Sequence, residues 1–289
     1  MPELPGVTHR DVTVSGVRLH VAEAGAGPPI VLQHGWPQHW WVWRRLIGEL
    51  AVDHRVICPD LRGFGWSDAP PGRYDKESLA TDLLGVLDEL GLALPGSGEQ
   101  VRLVGHDWGG FVGFLACLRA PERFQSFLAL SIVHPWFGTG GGIPDPRSFL
   151  RLWYQFVVGS PWGPALLRSE PTMRRVFTRA GAGVFDDETL SLYVAALAQP
   201  ASAQASQSLY RTFVTAETLP ILRGRYNAAR LTVPTRLLVG DHDPVIRAPT
   251  LRGFEAHADD MTLAWVPDSG HWLPEQRAGR VLEELAQLP

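Results

Sequence analysis

Two hydrophobic rhythms run along this chain, and they take turns. Asp11 to Glu23 alternates apolar and polar residues around Ser15-Gly16, which predicts a β-hairpin. Pro29 to Gln33 and Arg55 to Pro59 are short apolar runs of the kind a buried strand makes. Between them, Trp41 to Ala51 has helical periodicity. Leu61 to Pro71 is dense in Gly and Pro and predicts a loop. Asp75 then stands where a helix cap would, ahead of Leu79, Leu83, Leu87 and Leu90 at helical spacing. Val101 to Val104 predicts a strand, Gly109 to Arg119 a helix and Phe127 to Val133 another strand. Strands alternating with helices predict a mostly parallel sheet covered on both faces, an α/β fold.

The alternation stops near Pro135. From there to Arg225 the pattern is helical, with no convincing strand, and it opens on the glycine-rich stretch Gly138 to Gly142. Strand-like runs return at Arg236 to Val239 and Thr262 to Val266. Helices are predicted near Ala248 to His257 and from Pro274 to Gln287. The expected organisation is a sheet domain made of residues 1–134 and 226–289, with a helical cap inserted at 135–225.

Composition narrows the function classes. The 289 residues are 45% hydrophobic, enough for a large core. The net charge is −4, Lys76 is the sole lysine, and the arginines are scattered. Nucleic acid and anionic membranes are therefore not expected partners. No run approaches the roughly 18 apolar residues of a membrane span, and no leader pattern opens the chain. Cys58 and Cys117 sit in apolar runs and are expected to be buried free thiols. A cytoplasmic protein with no metal or cofactor is expected. The eleven tryptophans hint at an aromatic pocket, although aromatic residues also serve as core.

The chemistry concentrates in a few turns. Gly105-His106-Asp107-Trp108-Gly109-Gly110 lies between a predicted strand and a predicted helix. Small residues flanking one reactive residue suit a sharp strand-to-helix elbow that projects the side chain at the carboxyl end of a sheet. Gly240-Asp241-His242-Asp243-Pro244 and Ser269-Gly270-His271-Trp272 follow two later strands. They offer an acid, Asp241 or Asp243, and a histidine in the order nucleophile, acid, histidine. His34-Gly35-Trp36-Pro37 follows an earlier strand. The N–H groups of Trp36 and Trp108 are candidates for an oxyanion hole, and Pro37 is a candidate cis residue.

These turns resemble the epoxide hydrolase family of the α/β-hydrolase superfamily, which is close to the haloalkane dehalogenases. His34 to Pro37 resembles the family's HGxP turn, Asp60-Leu61-Arg62-Gly63-Phe64-Gly65-Trp66-Ser67-Asp68 its DxRGxGxSD loop, and Gly105 to Gly110 its GxDxGG elbow. The resemblance implies the α/β-hydrolase fold with a helical cap. It selects Asp243 as the acid, because the family pattern places two residues between glycine and aspartate. It further implies two cap tyrosines that hold the epoxide oxygen, at Tyr154 and Tyr210, with Tyr193 and Tyr226 as substitutes. Trp36, Trp108, Trp136 and Trp153 are expected at the substrate pocket, with Phe137, Phe149, Phe156 and Trp162 as further wall material from the insert.

An aspartate nucleophile carries its own argument. A carboxylate that attacks an alkyl carbon leaves an ester, which water can open. A serine doing the same would leave a dead-end ether. The expected reaction is therefore conversion of a small apolar epoxide and water to a 1,2-diol through an ester on Asp107, with His271 and Asp243 activating the water. A haloalkane dehalogenase using the same Asp107 stays open, as does a non-catalytic binding protein of the same fold. A homodimer is left open.

Overall fold

The computed structural model describes residues 1–137, 153–181 and 183–289. The glycine-rich stretch 138–142 and Phe149 lie outside those residues. Eight strands form one sheet: β1 (Val7–Val14), β2 (Val17–Ala24), β3 (Pro29–Gln33), β4 (Arg55–Pro59), β5 (Val101–His106), β6 (Phe124–Leu130), β7 (Thr235–Gly240) and β8 (Met261–Val266). Their spatial order is β1-β2-β4-β3-β5-β6-β7-β8. The pairs β1–β2 and β2–β4 are antiparallel, and every pair from β4 to β8 is parallel. Ser15 and Gly16 join β1 to β2 with φ of 50° and 80°, the left-handed pair that a two-residue hairpin turn requires.

The central strands β3 to β7 are mostly apolar because both of their faces are buried. Successive side chains point to opposite faces, so each central strand feeds two cores. Val31, Ile57, Leu103, Phe127, Ala129, Leu237 and Val239 join one cluster, whereas Ile30, Leu32, Val56, Val104, Leu128, Leu130 and Leu238 join the other. The first cluster is covered by α2 (Lys76–Glu89) and α3 (Trp108–Arg119). The second is covered by Trp40, Trp43 and α1 (Arg44–Leu50). Asp75 caps α2 as expected, accepting from the Ser78 N–H at 2.9 Å. Cys58 and Cys117 are free and buried.

Between β6 and β7 the described residues hold helices only: α4 (Trp153–Gly159), α5 (Gly163–Leu167), α6 (Glu170–Gly181), α7 (Asp187–Ala198), α8 (Pro200–Thr212), a π-helical turn (Phe213–Glu217) and α9 (Thr218–Leu222). Three expectations need correction. Strand β6 starts earlier and ends at Leu130, because Ser131 turns the chain with φ of 49°. The segment 248–257 is two 3-10 turns, Ala248–Leu251 and Phe254–Ala256, broken by Gly253 at φ 95°. The last helix is split into α10 (Leu273–Gln276) and α11 (Ala278–Ala286). Its break is at Arg277, whose side chain donates to the Asp268 carbonyl at 2.7 Å. Among the described residues no helix is long and apolar enough to cross a membrane.

Candidate active site

Asp107 sits at the junction of β5 and α3 with φ 52° and ψ −130°. This is strained backbone for any residue with a side chain. The elbow is held there by close packing. A Cβ on Gly109 would lie 2.3 Å from the carbonyl oxygens of Gln33 and His34, and one on Gly35 would lie 2.6 Å from Asp107 Oδ1. The glycines therefore let the β3 turn and the elbow touch, and the Trp36 N–H donates to Asp107 Oδ1 at 2.9 Å. The Trp36–Pro37 peptide is cis.

The loop that begins at Asp60 supports that turn. Leu61 N–H donates to His34 Nε2 at 2.9 Å, which leaves His34 Nδ1–H to donate to the Gly35 carbonyl, also at 2.9 Å. That carbonyl belongs to the same peptide whose N–H faces Asp107. Asp60 is buried and accepts from Trp40 N–H at 2.7 Å, Trp66 N–H at 3.0 Å and His20 Nδ1 at 2.8 Å. Burial pushes its carboxyl up, but His20 and His34 outweigh this and hold it below the usual value.

The second Asp107 oxygen, Oδ2, lies 3.3 Å from His271 Nε2. On the other side of the ring, His271 Nδ1–H donates to Asp243 Oδ2 at 2.9 Å. The remaining oxygen of Asp243 accepts from the N–H groups of Val245 (2.7 Å) and Ile246 (2.9 Å). Asp241 is instead spent on the turn, where it accepts from Ser269 N–H at 3.2 Å. Burial raises the Asp243 carboxyl, but His271 and the two amides more than reverse this and leave it lowered. Burial likewise lowers His271, yet Asp243 and Asp107 on its two nitrogens push it up to about 10. A neighbouring histidine behaves oppositely. His106 has no carboxylate on its ring; its Nε2–H donates to the His271 carbonyl at 2.8 Å, and burial pulls its pKa down to about 4.

Aromatic rings from the insert close over this polar line. Tyr154 stacks on Trp36 at 6.3 Å, and Tyr210 meets Trp36 edge-on at 4.9 Å. The two tyrosine rings are 5.7 Å apart, and Tyr210 lies 6.0 Å from Trp108. Burial raises both phenols above their ordinary pKa, so both hold their protons at neutral pH. The substitute tyrosines are committed elsewhere: Tyr193 donates to Glu275 at 2.8 Å, and Tyr226 to Glu77 at 2.6 Å.

Asp107, His271, Asp243, Trp36, Trp108, Tyr154 and Tyr210 thus come together, but two expected pocket residues do not join them. Trp136 is buried, gives its indole N–H to the Tyr226 carbonyl at 2.8 Å and stacks on His257. Trp153 is 62% exposed, because its side of α4 faces outward. Phe156 and Trp162 are exposed as well, and Phe137 packs on the core. Two partners were not foreseen. Ser206 accepts from the Trp36 indole N–H at 3.0 Å and lies four residues before Tyr210, a same-face spacing that could have flagged it. His106 carried no such signal. Among the described residues, no group of three or more His, Cys, Asp or Glu is placed to hold a metal.

Known proteins resemble this chain along nearly its whole length. The chain is 29% identical over 284 residues to the soluble epoxide hydrolase of Corynebacterium sp. (strain C12), covering 96% of this chain and 95% of that one. It is 28% identical to epoxide hydrolase 4 of Homo sapiens over 277 residues, covering 91% of this chain and 73% of that one. The solved structure of the epoxide hydrolase CorEH without ligand superposes with a TM-score of 0.84 at 29% identity, over 98% of both chains. A family profile described as alpha/beta hydrolase fold matches residues 28–278. With that match over most of its length, and a sheet order and elbow to go with it, this chain belongs to the α/β hydrolase fold family.

Proposed function

We propose that this protein is an epoxide hydrolase that works through a covalent ester on Asp107, with residues 135–225 acting as a cap over a hydrolase core of 1–134 and 226–289. The observation that carries the reading is the pairing of an elbow carboxylate with two protonated, mutually packed tyrosines beside it. In the first step an Asp107 oxygen forms a bond to one epoxide carbon. The carbon–oxygen bond of the ring breaks, and the freed oxygen is held by the O–H groups of Tyr154 and Tyr210, one of which supplies its proton. In the second step a water gives a proton to His271 and attacks the Asp107 carboxyl carbon. The resulting oxyanion is held by the N–H groups of Trp36 and Trp108. Collapse breaks the bond to the substrate oxygen, which takes the proton of the new carboxylic acid, so the carboxylate returns and a 1,2-diol leaves; the proton that the imidazolium gives up on ester formation restores the tyrosine.

The raised pKa of His271 fits this order. With Asp107 ionised, the imidazole is held as a cation up to about pH 10. Ester formation neutralises Asp107 and removes one of the two charges that stabilise that cation. The imidazolium can then lose its proton, and the neutral ring becomes the base for the second step.

The dehalogenase reading asks for two N–H donors around a leaving halide. Trp108 can be one of them, but Trp36 and the tryptophans of the insert are placed otherwise. Trp36 and Trp136 give their indole N–H groups to Ser206 and Tyr226, and Trp153 and Trp162 are 62% and 73% exposed. The deciding experiment incubates purified protein with terminal aryl epoxides and with bromoalkanes, scoring diol and bromide. Diol that vanishes in Asp107→Ala, with no bromide, is the expected result. Bromide without diol would replace this reading with dehalogenation.

A further inference from the structure

The sole lysine of the chain is wholly buried. Lys76 opens α2, and both of its nitrogens bond to one carboxylate. Its Nζ donates to Glu217 Oε2 at 2.9 Å and its backbone N–H donates to Glu217 Oε1 at 2.8 Å. The ammonium also lies 4.2 Å from the centre of the Trp108 ring and 4.9 Å from that of Phe213. Trp108 follows Asp107 in the chain, and Phe213 is three residues beyond Tyr210. The rings of Trp108 and Phe213 touch, with centroids 4.7 Å apart. Glu217 ends the π-helical turn Phe213–Glu217, between α8 and α9.

Stability alone does not account for this pair. A cation in the first turn of a helix opposes the helix dipole, and a buried ion pair is often no more stabilising than apolar residues of the same size. A π-turn inside a helix is itself uncommon and concentrates at functional sites. Here it ends on the residue that reaches across to α2. The ion pair spans the sheet domain and the insert at the point where the Trp108 ring of one meets the Phe213 ring of the other. Two fixed bonds to one carboxylate and two ring faces against one ammonium set the height and tilt of the insert there, which apolar contact alone would leave free to slide.

We propose that Lys76 and Glu217 are a positioning pair that holds Trp108 and Tyr210 in register over Asp107 and so governs ester formation, the first step of the proposed reaction, on which this inference rests. Asp107, His271, Asp243 and the backbone N–H groups of Trp36 and Trp108 are placed by the sheet turns, and the pair touches only the ring of Trp108, so the second step does not depend on it.

The test uses the full chain with Lys76→Met, Glu217→Gln and the double replacement Lys76→Met/Glu217→Met. The single variants leave a buried group unpaired and are read by hydrogen exchange. Amides 205–222 should exchange at least tenfold faster in Lys76→Met, and unchanged exchange would overturn the latch whatever the substrate. The double variant removes both charges and should stay folded. Mixed with styrene oxide and quenched for intact mass, it should form the ester 10- to 100-fold more slowly than the wild type and break it down within twofold of the wild-type rate. Ester formation at the wild-type rate, or equal slowing of both steps, would overturn the positioning role. Absence of any ester in the wild type would instead count against the epoxide reading, leaving the exchange measurement to decide the latch.

Discussion

The two halves of the candidate site are built in different ways. On the sheet side, Asp107, His271, Asp243 and the Trp36 N–H are each placed by a short turn at the carboxyl end of a strand, and each contact is a directed hydrogen bond or ion pair. On the insert side, Tyr154 and Tyr210 are placed by the packing of rings against Trp36 and Trp108. A hydrogen-bonded line tolerates little displacement, because each bond weakens steeply with angle. Ring packing tolerates more, since aromatic pairs are favourable over a range of separations and tilts. The sheet side therefore holds the bond-making groups by directed bonds, while the insert side rests on ring packing whose register the Lys76–Glu217 pair is proposed to hold.

The comparison is broken most severely at its centre. Asp107→Ala should abolish diol formation, a loss on the order of 10⁴- to 10⁶-fold in turnover. His271→Gln should slow the second step by roughly 10²- to 10⁴-fold while leaving the first, so intact mass should show an adduct equal to the substrate. Failure to see that adduct would mean a different nucleophile or substrate class. On the insert side, Tyr210→Phe should cost about 10²-fold in ester formation, as loss of one preorganised donor does, and leave ester breakdown unchanged. If Tyr210→Phe slowed ester breakdown instead, the division of labour between the halves would be wrong.

Smaller effects sharpen the sheet side through pH. His271 must be neutral in the ester, so breakdown of the ester should fall as the buffer becomes acidic; a flat rate down to about pH 5 would oppose its role as base. In the free protein the sign is reversed. The folded-state pKa of His271 is raised to about 10, so its stabilising contribution is full below about pH 6.5, the ordinary histidine value, and is lost by about pH 10. Asp107→Asn removes one of the causes of that rise. The pH at which the His271 ring signal titrates by NMR should therefore move down in that variant.

The same division explains what could be read from the sequence. Strand and turn identity is local: the apolar run, the small residues and the reactive residue stand together at Gly105 to Gly110, at Gly240 to Pro244 and at Ser269 to Trp272. Helix-packed features are not local. Trp136, in the turn after β6, and Trp153, in α4, share the composition of a pocket wall, but which way each ring points depends on neighbours distant in sequence. The partnership of Lys76 with Glu217 joins residues 141 positions apart, and neither residue looks unusual in its own segment. The broken helices at 248–257 and near Arg277 were hidden for a related reason. Gly253 takes a left-handed conformation and Arg277 reaches across to a carbonyl, and periodicity alone does not register either event.

The strained backbone of Asp107 has a consequence for the history open to this protein. A residue held at φ 52° and ψ −130° costs about 1–3 kcal/mol whatever its side chain does. A glycine there would relieve that cost, at the loss of the nucleophile and of one partner of His271. On the proposed mechanism, selection for turnover is what keeps a residue with a side chain at this elbow. Descendants released from that selection have no such reason to keep the strain, and one base change from an aspartate codon to a glycine codon is enough to relieve it and to end the proposed activity.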